Sequence, residues 1–376
     1  MRMNRAALSI PAGSARIPCL DGLRAISIIA VAIAHLNGTT GFPTIPGLGV
    51  IGDIGNLGVR VFFVISGYLI THLLFEEWRT TGSISLRQFY VRRTFRIFPA
   101  FYGYLIVIGI LALAGVIIVA GADLALAAAY LINFVHRKSW EVGHLWSLAV
   151  EEQFYLIWPL TIVLLGWQRA TIGVIVIVLF VPILRIATWY LIPEWRGIIS
   201  KAFPTVCDAI AIGCVLACIR SRLREWNYYT EFTRSWWFVL VPALILLSNA
   251  FASHTRPDYL IGQSIRNIGI ALCLDWCLRY PDSPIGRFLN LRWMVWLGGL
   301  SYSFYLWQQL FLNRNSQAPW CAFPLNLFLA SGAALASFYL VERPCLRARG
   351  RMFPFQRKFD PGDPSVPVSE KGPARD

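Results

Sequence analysis

Three ionisable side chains, Asp21, Arg24 and His35, interrupt the first apolar run of the chain, LDGLRAISIIAVAIAHL. A charged residue at the centre of a membrane span costs on the order of 2.5–3.5 kcal/mol on insertion scales, so ionisable groups there are read first as functional. An imidazole exchanges protons near neutral pH, so His35 is assigned as catalytic, with two roles open to it: general base toward a hydroxyl, or nucleophile toward an acyl carbon. Arg24 and His35 are eleven residues apart, three turns of helix, which sets them on one face about 16 Å apart along the axis. A ligand gripped at Arg24 and reacted at His35 would lie along that face. A purely structural account pairs Asp21 with Arg24 at i,i+3 and leaves His35 packed near the headgroups.

A second constellation lies in HLWSLAVEEQFYLIWPL, where Ser147, Glu151 and Tyr155 recur every four residues and Glu152 sits beside them. All four are assigned to the catalytic group. Two carboxylates in an apolar helix each require a partner, which His35, Arg24, Arg60, Arg185 or Arg266 could supply. A carboxylate on His35 would orient the ring and stabilise its cation; the alternative is a structural ion pair between spans. The third constellation, LRQFYVRRTFRIFPAFY, carries Arg93 and Arg96 one turn apart. Guanidinium forks match phosphate oxygens bidentately, so these two, with Arg24, are assigned to binding a phosphorylated donor such as coenzyme A. An ordinary basic cluster at the inner membrane surface is the plain alternative.

The elements that must position these residues are apolar helices. The chain of 376 residues is 56% hydrophobic and only 14% charged, with a mean hydropathy of +0.56, whereas soluble domains are about one quarter charged. Runs long enough for a hydrocarbon core of roughly 30 Å begin near residues 20, 58, 98, 146, 171, 204, 236, 262, 293 and 321, which predicts an all-α, polytopic membrane bundle of about ten spans. The stretch 122–135 is too short for a span. The domain boundaries expected are 1–19 for a cytoplasmic N-terminal segment, 20–345 for the membrane domain and 346–376 for a basic, Pro-rich disordered tail. Residues 1–19 lack the apolar core of a signal peptide, so the first span is expected to stay as an uncleaved anchor.

The net charge of +14 would suit nucleic acid, but its distribution argues otherwise. With ten spans and a cytoplasmic N-terminus, 24 of the 34 Lys and Arg fall inside, 6 outside and 4 within spans. That is the positive-inside pattern, with both termini cytoplasmic and no nucleic-acid partner. The eight Cys form no Cys-x-x-Cys pair with a His partner, so neither a metal site nor a disulfide framework is expected. No internal repeat supports a transporter built from inverted halves, and a membrane scaffold gives no reason to bury His35, Glu151 and Glu152.

These segments together resemble the acyltransferase 3 family of membrane-bound acyltransferases. The likeness covers roughly residues 17–345 and rests on Arg24 and His35, on GVRVFFVISGYLI at 58–70, on Arg93 and Arg96, on WSLAVEEQFYL at 146–156, and on LGGLSYSFYLWQ at 297–308 with VERP at 341–344. It implies an acyl-CoA donor, most simply acetyl-CoA, entering from the cytoplasm, an essential His35, and no metal. The expected acceptor is a hydroxyl of a cell-surface or secreted polysaccharide or glycolipid, lipopolysaccharide included, at a bacterial inner membrane. A small acceptor such as a macrolide or lipo-oligosaccharide is the alternative. Two departures stand out. Arg60 occupies a position where many members carry an acidic residue, and the hydrolase-like domain of the two-domain members is expected to be lacking, so that acceptor delivery would be direct or through a partner.

Overall fold

The computed structural model describes residues 17–47, 52–253 and 255–352. Among these residues every regular element is a helix. The first three are α1 (Pro18–Leu36), α2 (Ile54–Thr81) and α3 (Leu86–Leu113). Local chemistry sets their ends. Asp53 caps α2 by accepting the Asn56 N–H, Ser85 caps α3 by accepting the Gln88 N–H, and Gly82 closes α2 in the left-handed conformation. A connection holding two short helices, α4 (Gly121–Ala128) and α5 (Trp140–Gly143), leads to α6 (Trp146–Leu191). The stretch 122–135 thus forms a short helix and one tight turn at Ile132–Phe134, in keeping with its length. Gly166, at φ 75°, breaks α6 into two limbs, a backbone angle that glycine adopts without steric penalty.

After a short α7 (Phe203–Val206) come α8 (Asp208–Glu225), α9 (Asn227–Arg234), α10 (Leu240–Ala250) and the single turn α11 (Thr255–Pro257). Then follow α12 (Gln263–Arg279), the short α13 (Pro284–Leu289), α14 (Arg292–Phe311), α15 (Leu325–Ser337) and α16 (Arg343–Met352). Among the described residues five helical segments are long and apolar enough to cross a membrane, six if the bent pair Asn227–Arg234 and Trp236–Ala250 counts as one. Ten were expected, and the difference has a compositional cause. The two limbs of α6 run as one segment. α8 carries Asp208, Arg220, Arg222, Arg224 and Glu225, α12 carries Arg266, Asp275 and Arg279, and α14 is diluted by Ser301, Ser303, Gln308 and Gln309. The expected terminal segments lie largely outside the described residues, although helix continues past 345 to Met352.

The exterior is apolar and the interior holds charge. Ile106, Ile110, Leu164 and Leu179 are exposed, as a lipid-facing surface requires. Arg60, Arg185, Asp208, Asp258, Arg266 and Asp275 are buried. Inside, Arg185 binds Asp208 at 3.0 Å and Gln263 at 2.9 Å, while Arg60 donates to Asn56 at 2.9 Å and Asn267 at 3.1 Å. Arg266 pairs with Asp258. Paired networks of this kind are how a bundle tolerates charge in a dry interior. They also show that Arg60, Arg185 and Arg266 serve helix packing and are not the partners of Glu151 and Glu152.

Around α1 the packing is tight, because α1 lies between α2 and α14. A Cβ on Gly298 would collide with the Asp21 carbonyl oxygen, so the two backbones approach as closely as small residues permit. Gly298→Val is expected to push α14 off α1 and destabilise the protein by about 1–3 kcal/mol. Thermal unfolding in detergent checks this; an unchanged Tm would show that the contact is not needed.

Candidate functional site

Two cavities lie on either side of the α1, α2, α6 and α14 contacts. The first, of about 80 Å³, is lined by Arg24 from α1, Ser66 from α2, Arg93 and Arg96 from α3, Ser147 and Glu151 from α6, and Tyr305 from α14. Three guanidinium groups therefore face one small space. Arg24 is partly neutralised by Asp21 at 3.4 Å. Arg93 is held against α6, its guanidinium carbon 3.6 Å from the centre of the Tyr155 ring and its Nε 3.8 Å from Glu152 Oε1. Among the described residues Arg96 makes no ion pair, so its charge is left for something that enters. Asp21 and Glu152 lie against two of these guanidinium groups and Glu151 is in the same lining, so the place that favours an anion is beside Arg96.

Glu151 lines this cavity and accepts hydrogen bonds from Ser66 Oγ at 3.0 Å and Tyr155 Oη at 3.1 Å. Glu152 and Tyr155 are not in the lining; they stand behind Arg93 and fix its position. The stripe read from the sequence is therefore divided, with Ser147 and Glu151 in contact with the cavity and Glu152 and Tyr155 supporting it.

His35 faces the second cavity, of about 670 Å³, at the other end of α1. Its Nδ1 lies 2.8 Å from Gln308 Oε1. That oxygen can only accept, so the contact calls for a proton on Nδ1; in the neutral ring Nε2 then keeps its lone pair, the tautomer a general base needs. The expected carboxylate on His35 is thus replaced by an amide. Glu151 and Glu152 are engaged by Ser66, Tyr155 and Arg93, more than one helical turn deeper than Trp146, which shares the His35 cavity. A neutral amide orients the ring without holding a charge against it.

The walls of the two cavities meet. Val59 and Tyr305 line both, and Tyr305 Oη sits 2.6 Å from Ser147 Oγ while donating to the His144 carbonyl at 2.9 Å. His35 and the arginines thus occupy separate spaces that are divided by side chains, one of which is a phenol.

The acyltransferase 3 family model, an acyltransferase domain, matches residues 17–342. The chain belongs to this family. It is 28% identical over 348 residues to the peptidoglycan O-acetyltransferase OatA of Listeria monocytogenes, an alignment that takes in 87% of this chain and 54% of that protein. It is 29% identical over 373 residues to the O-acetyltransferase OatA of Staphylococcus aureus, covering 91% of this chain and 59% of the relative. The chain therefore spans a little over half the length of these curated relatives. No solved structure matches it.

Family membership and the apolar helices make it a multi-pass membrane protein. Within this acyltransferase 3 domain the structure adds residues to which sequence reasoning gave no role. Tyr305 and Gln308 both lie in LGGLSYSFYLWQ, a segment recognised as a family element but not assigned. Ser301, Tyr305 and Gln308 stand at i, i+4 and i+7, the spacing of one helical face, and that polar stripe was the available signal. His144 follows α5, two residues before α6, and is buried against α14, its Nε2 donating to the Leu306 carbonyl at 3.1 Å. Nothing in the sequence separates it from a packing histidine.

Proposed function

We propose that the protein transfers an acetyl group from acetyl-CoA to a hydroxyl of a cell-surface glycan, across a bacterial plasma membrane, with His35 as general base. The observation that carries this reading is the shared wall: an arginine-lined cavity and a histidine-lined cavity meet at Val59 and Tyr305. In the orientation expected from the Lys and Arg distribution, ten helical limbs cross the bilayer, both termini are cytoplasmic, and the arginine cavity opens inward. The names of the relatives, an O-acetyltransferase and a peptidoglycan O-acetyltransferase, support an acetyl donor and a glycan acceptor.

In this mechanism Arg93 and Arg96 hold the coenzyme A phosphates at the inner mouth, and the thin pantetheine arm passes Arg24 to Tyr305, whose displacement from the shared wall brings the thioester to His35. A space of about 80 Å³ is far below the several hundred Å³ of a whole drug-sized ligand site, so the nucleotide stays at the mouth. The acceptor hydroxyl approaches from the larger cavity. His35 Nε2 takes its proton as the oxygen attacks the thioester carbonyl; the resulting oxyanion collapses, the C–S bond breaks, and the imidazolium returns the proton to the departing thiolate. Tyr305, on the shared wall, would serve that oxyanion by turning its proton away from the His144 carbonyl, with Ser147 donating to the Tyr305 oxygen.

Membranes containing the protein, given carbonyl-labelled acetyl-CoA, should label a surface glycan, and mass analysis of glycans from cells with and without the protein should differ by acetyl groups. No label in any glycan fraction would count against the acceptor class, and no acetyl-CoA turnover at all would remove the enzyme reading. Tyr305→Phe is expected to lower kcat about tenfold with little change in donor KM, since it removes one hydrogen bond and leaves Ser147 in place. An unchanged kcat would take Tyr305 out of the reaction.

A further inference from the structure

The cavity at the His35 end carries more charge than acetyl transfer requires. Arg137, Lys138, Lys201 and Arg314 line it against one carboxylate, Asp53, and four cations less one anion leave three positive charges on these five side chains. Asp53 is moreover engaged in capping α2 through the Asn56 N–H at 2.9 Å. The loops at this end hold six Lys and Arg, these four with Arg196 and Arg256. Four of the six therefore converge on one space, at the membrane side where basic residues are otherwise sparse.

These cations are positioned but not neutralised. Lys138 Nζ donates to the Ile132 carbonyl at 2.8 Å, and Arg314 Nη2 donates to the Ala34 carbonyl at 3.0 Å while lying 5.5 Å from the Trp140 ring centre. Among the described residues none of the four makes an ion pair. Burial first, and then the neighbouring Lys201 charge, pull Lys138 down to about 8. The same cavity offers two orphaned acceptors. His144 donates through Nε2, so its Nδ1 holds a lone pair, and both that atom and Gln309 Oε1 are buried without a hydrogen-bond partner. The two residues are only 4% and 5% exposed, and a buried acceptor left unmet is costly unless a ligand donor meets it.

We infer that this cavity selects an anionic, hydroxyl-rich acceptor: a saccharide carrying a carboxylate or a phosphate, its anion on Lys138 and Lys201 and its hydroxyls on His144 and Gln309. The cavity's role as the acceptor site rests on the acyl-transfer reading, but its preference for an anion can be measured by binding alone.

The test uses the full chain in nanodiscs of neutral phosphatidylcholine, titrated calorimetrically with maltotriose, a trigalacturonate and a phosphorylated maltotriose. At least one anionic trisaccharide should bind tenfold or more tightly than maltotriose, and increasing salt should weaken it. Tight binding of the trigalacturonate alone identifies a carboxylate; of the phosphorylated sugar alone, a phosphate; of both, an anion of either kind. Lys138→Gln with Lys201→Gln should weaken the anionic probe about tenfold, Lys138→Arg with Lys201→Arg should largely retain it, and Arg196→Gln, outside the cavity, should leave it unchanged. His35→Ala should still bind the probe, so loss of transfer and loss of anion recognition are read separately. Equal binding of maltotriose, an unchanged Kd in the double Gln variant, or no binding of any probe would overturn the inference.

Discussion

His35→Ala is expected to lower acetyl transfer by about 10²–10⁴-fold while the protein is still made and still melts at a similar temperature. The magnitude is that of removing a general base from a proton-transfer step. The partly buried ring contributes one side-chain hydrogen bond to Gln308 and an edge contact to Trp140 at 6.0 Å, so its removal disturbs few packing contacts. Single-turnover transfer from labelled acetyl-CoA, normalised to folded protein, measures the effect. Activity near the wild-type level would eliminate both the base and the nucleophile roles. Rapid quenching without acceptor separates those two, since label retained on His35 would identify an acyl-histidine intermediate and its absence would leave the base mechanism. Gln308→Leu belongs to the same experiment: losing the Nδ1 partner frees the tautomer and should reduce kcat by a smaller factor than His35→Ala.

Arg93→Ala is expected to raise the KM for acetyl-CoA about 100-fold with a smaller effect on kcat, the loss of roughly one charge-assisted, bidentate phosphate contact. Arg96→Ala should behave similarly. For Arg93 the outcome has a structural component, because Glu152 would lose the cation at 3.8 Å and the Tyr155 ring its stacked partner. Arg93→Ala combined with Glu152→Gln removes the stranded carboxylate. If the donor KM stays high in that double variant, the phosphate grip is supported; if it returns to the wild-type value, Arg93 acts only by neutralising Glu152. Arg93→Lys keeps the charge but loses the planar fork, so an intermediate KM is expected. Donor kinetics that do not change in any of these variants would contradict the assignment.

Much of this arrangement was legible before any coordinates. An ionisable residue in an apolar run is anomalous by composition alone, which is why Arg24, His35, Glu151 and Glu152 were visible, and helical periodicity placed Ser147, Glu151 and Tyr155 on one stripe. The partners were not legible. His35 and Gln308 are 273 residues apart, and Arg93 and Glu152 meet across two helices; nothing local to either segment encodes which helix faces which. Glu152 and Tyr155 looked equivalent to Glu151 in the sequence, yet Glu152 lies about 100° off the stripe and Tyr155 one turn further along it, so both stand against Arg93 while Glu151 lines the cavity.

The sequence by itself determined the solvent, the element type and the residues whose burial demands a reason, because hydropathy, 3.6-residue periodicity and the free energy of a charge in hydrocarbon are local properties. The tertiary structure alone decided that two cavities exist, that Tyr305 and Val59 form their common wall, and that an amide and not a carboxylate holds the imidazole. Those facts depend on the relative rotation and depth of α1, α2, α6 and α14. That placement is set by close approaches such as Gly298 against the Asp21 carbonyl and by buried pairs such as Arg185 with Asp208, interactions between residues far apart in the chain.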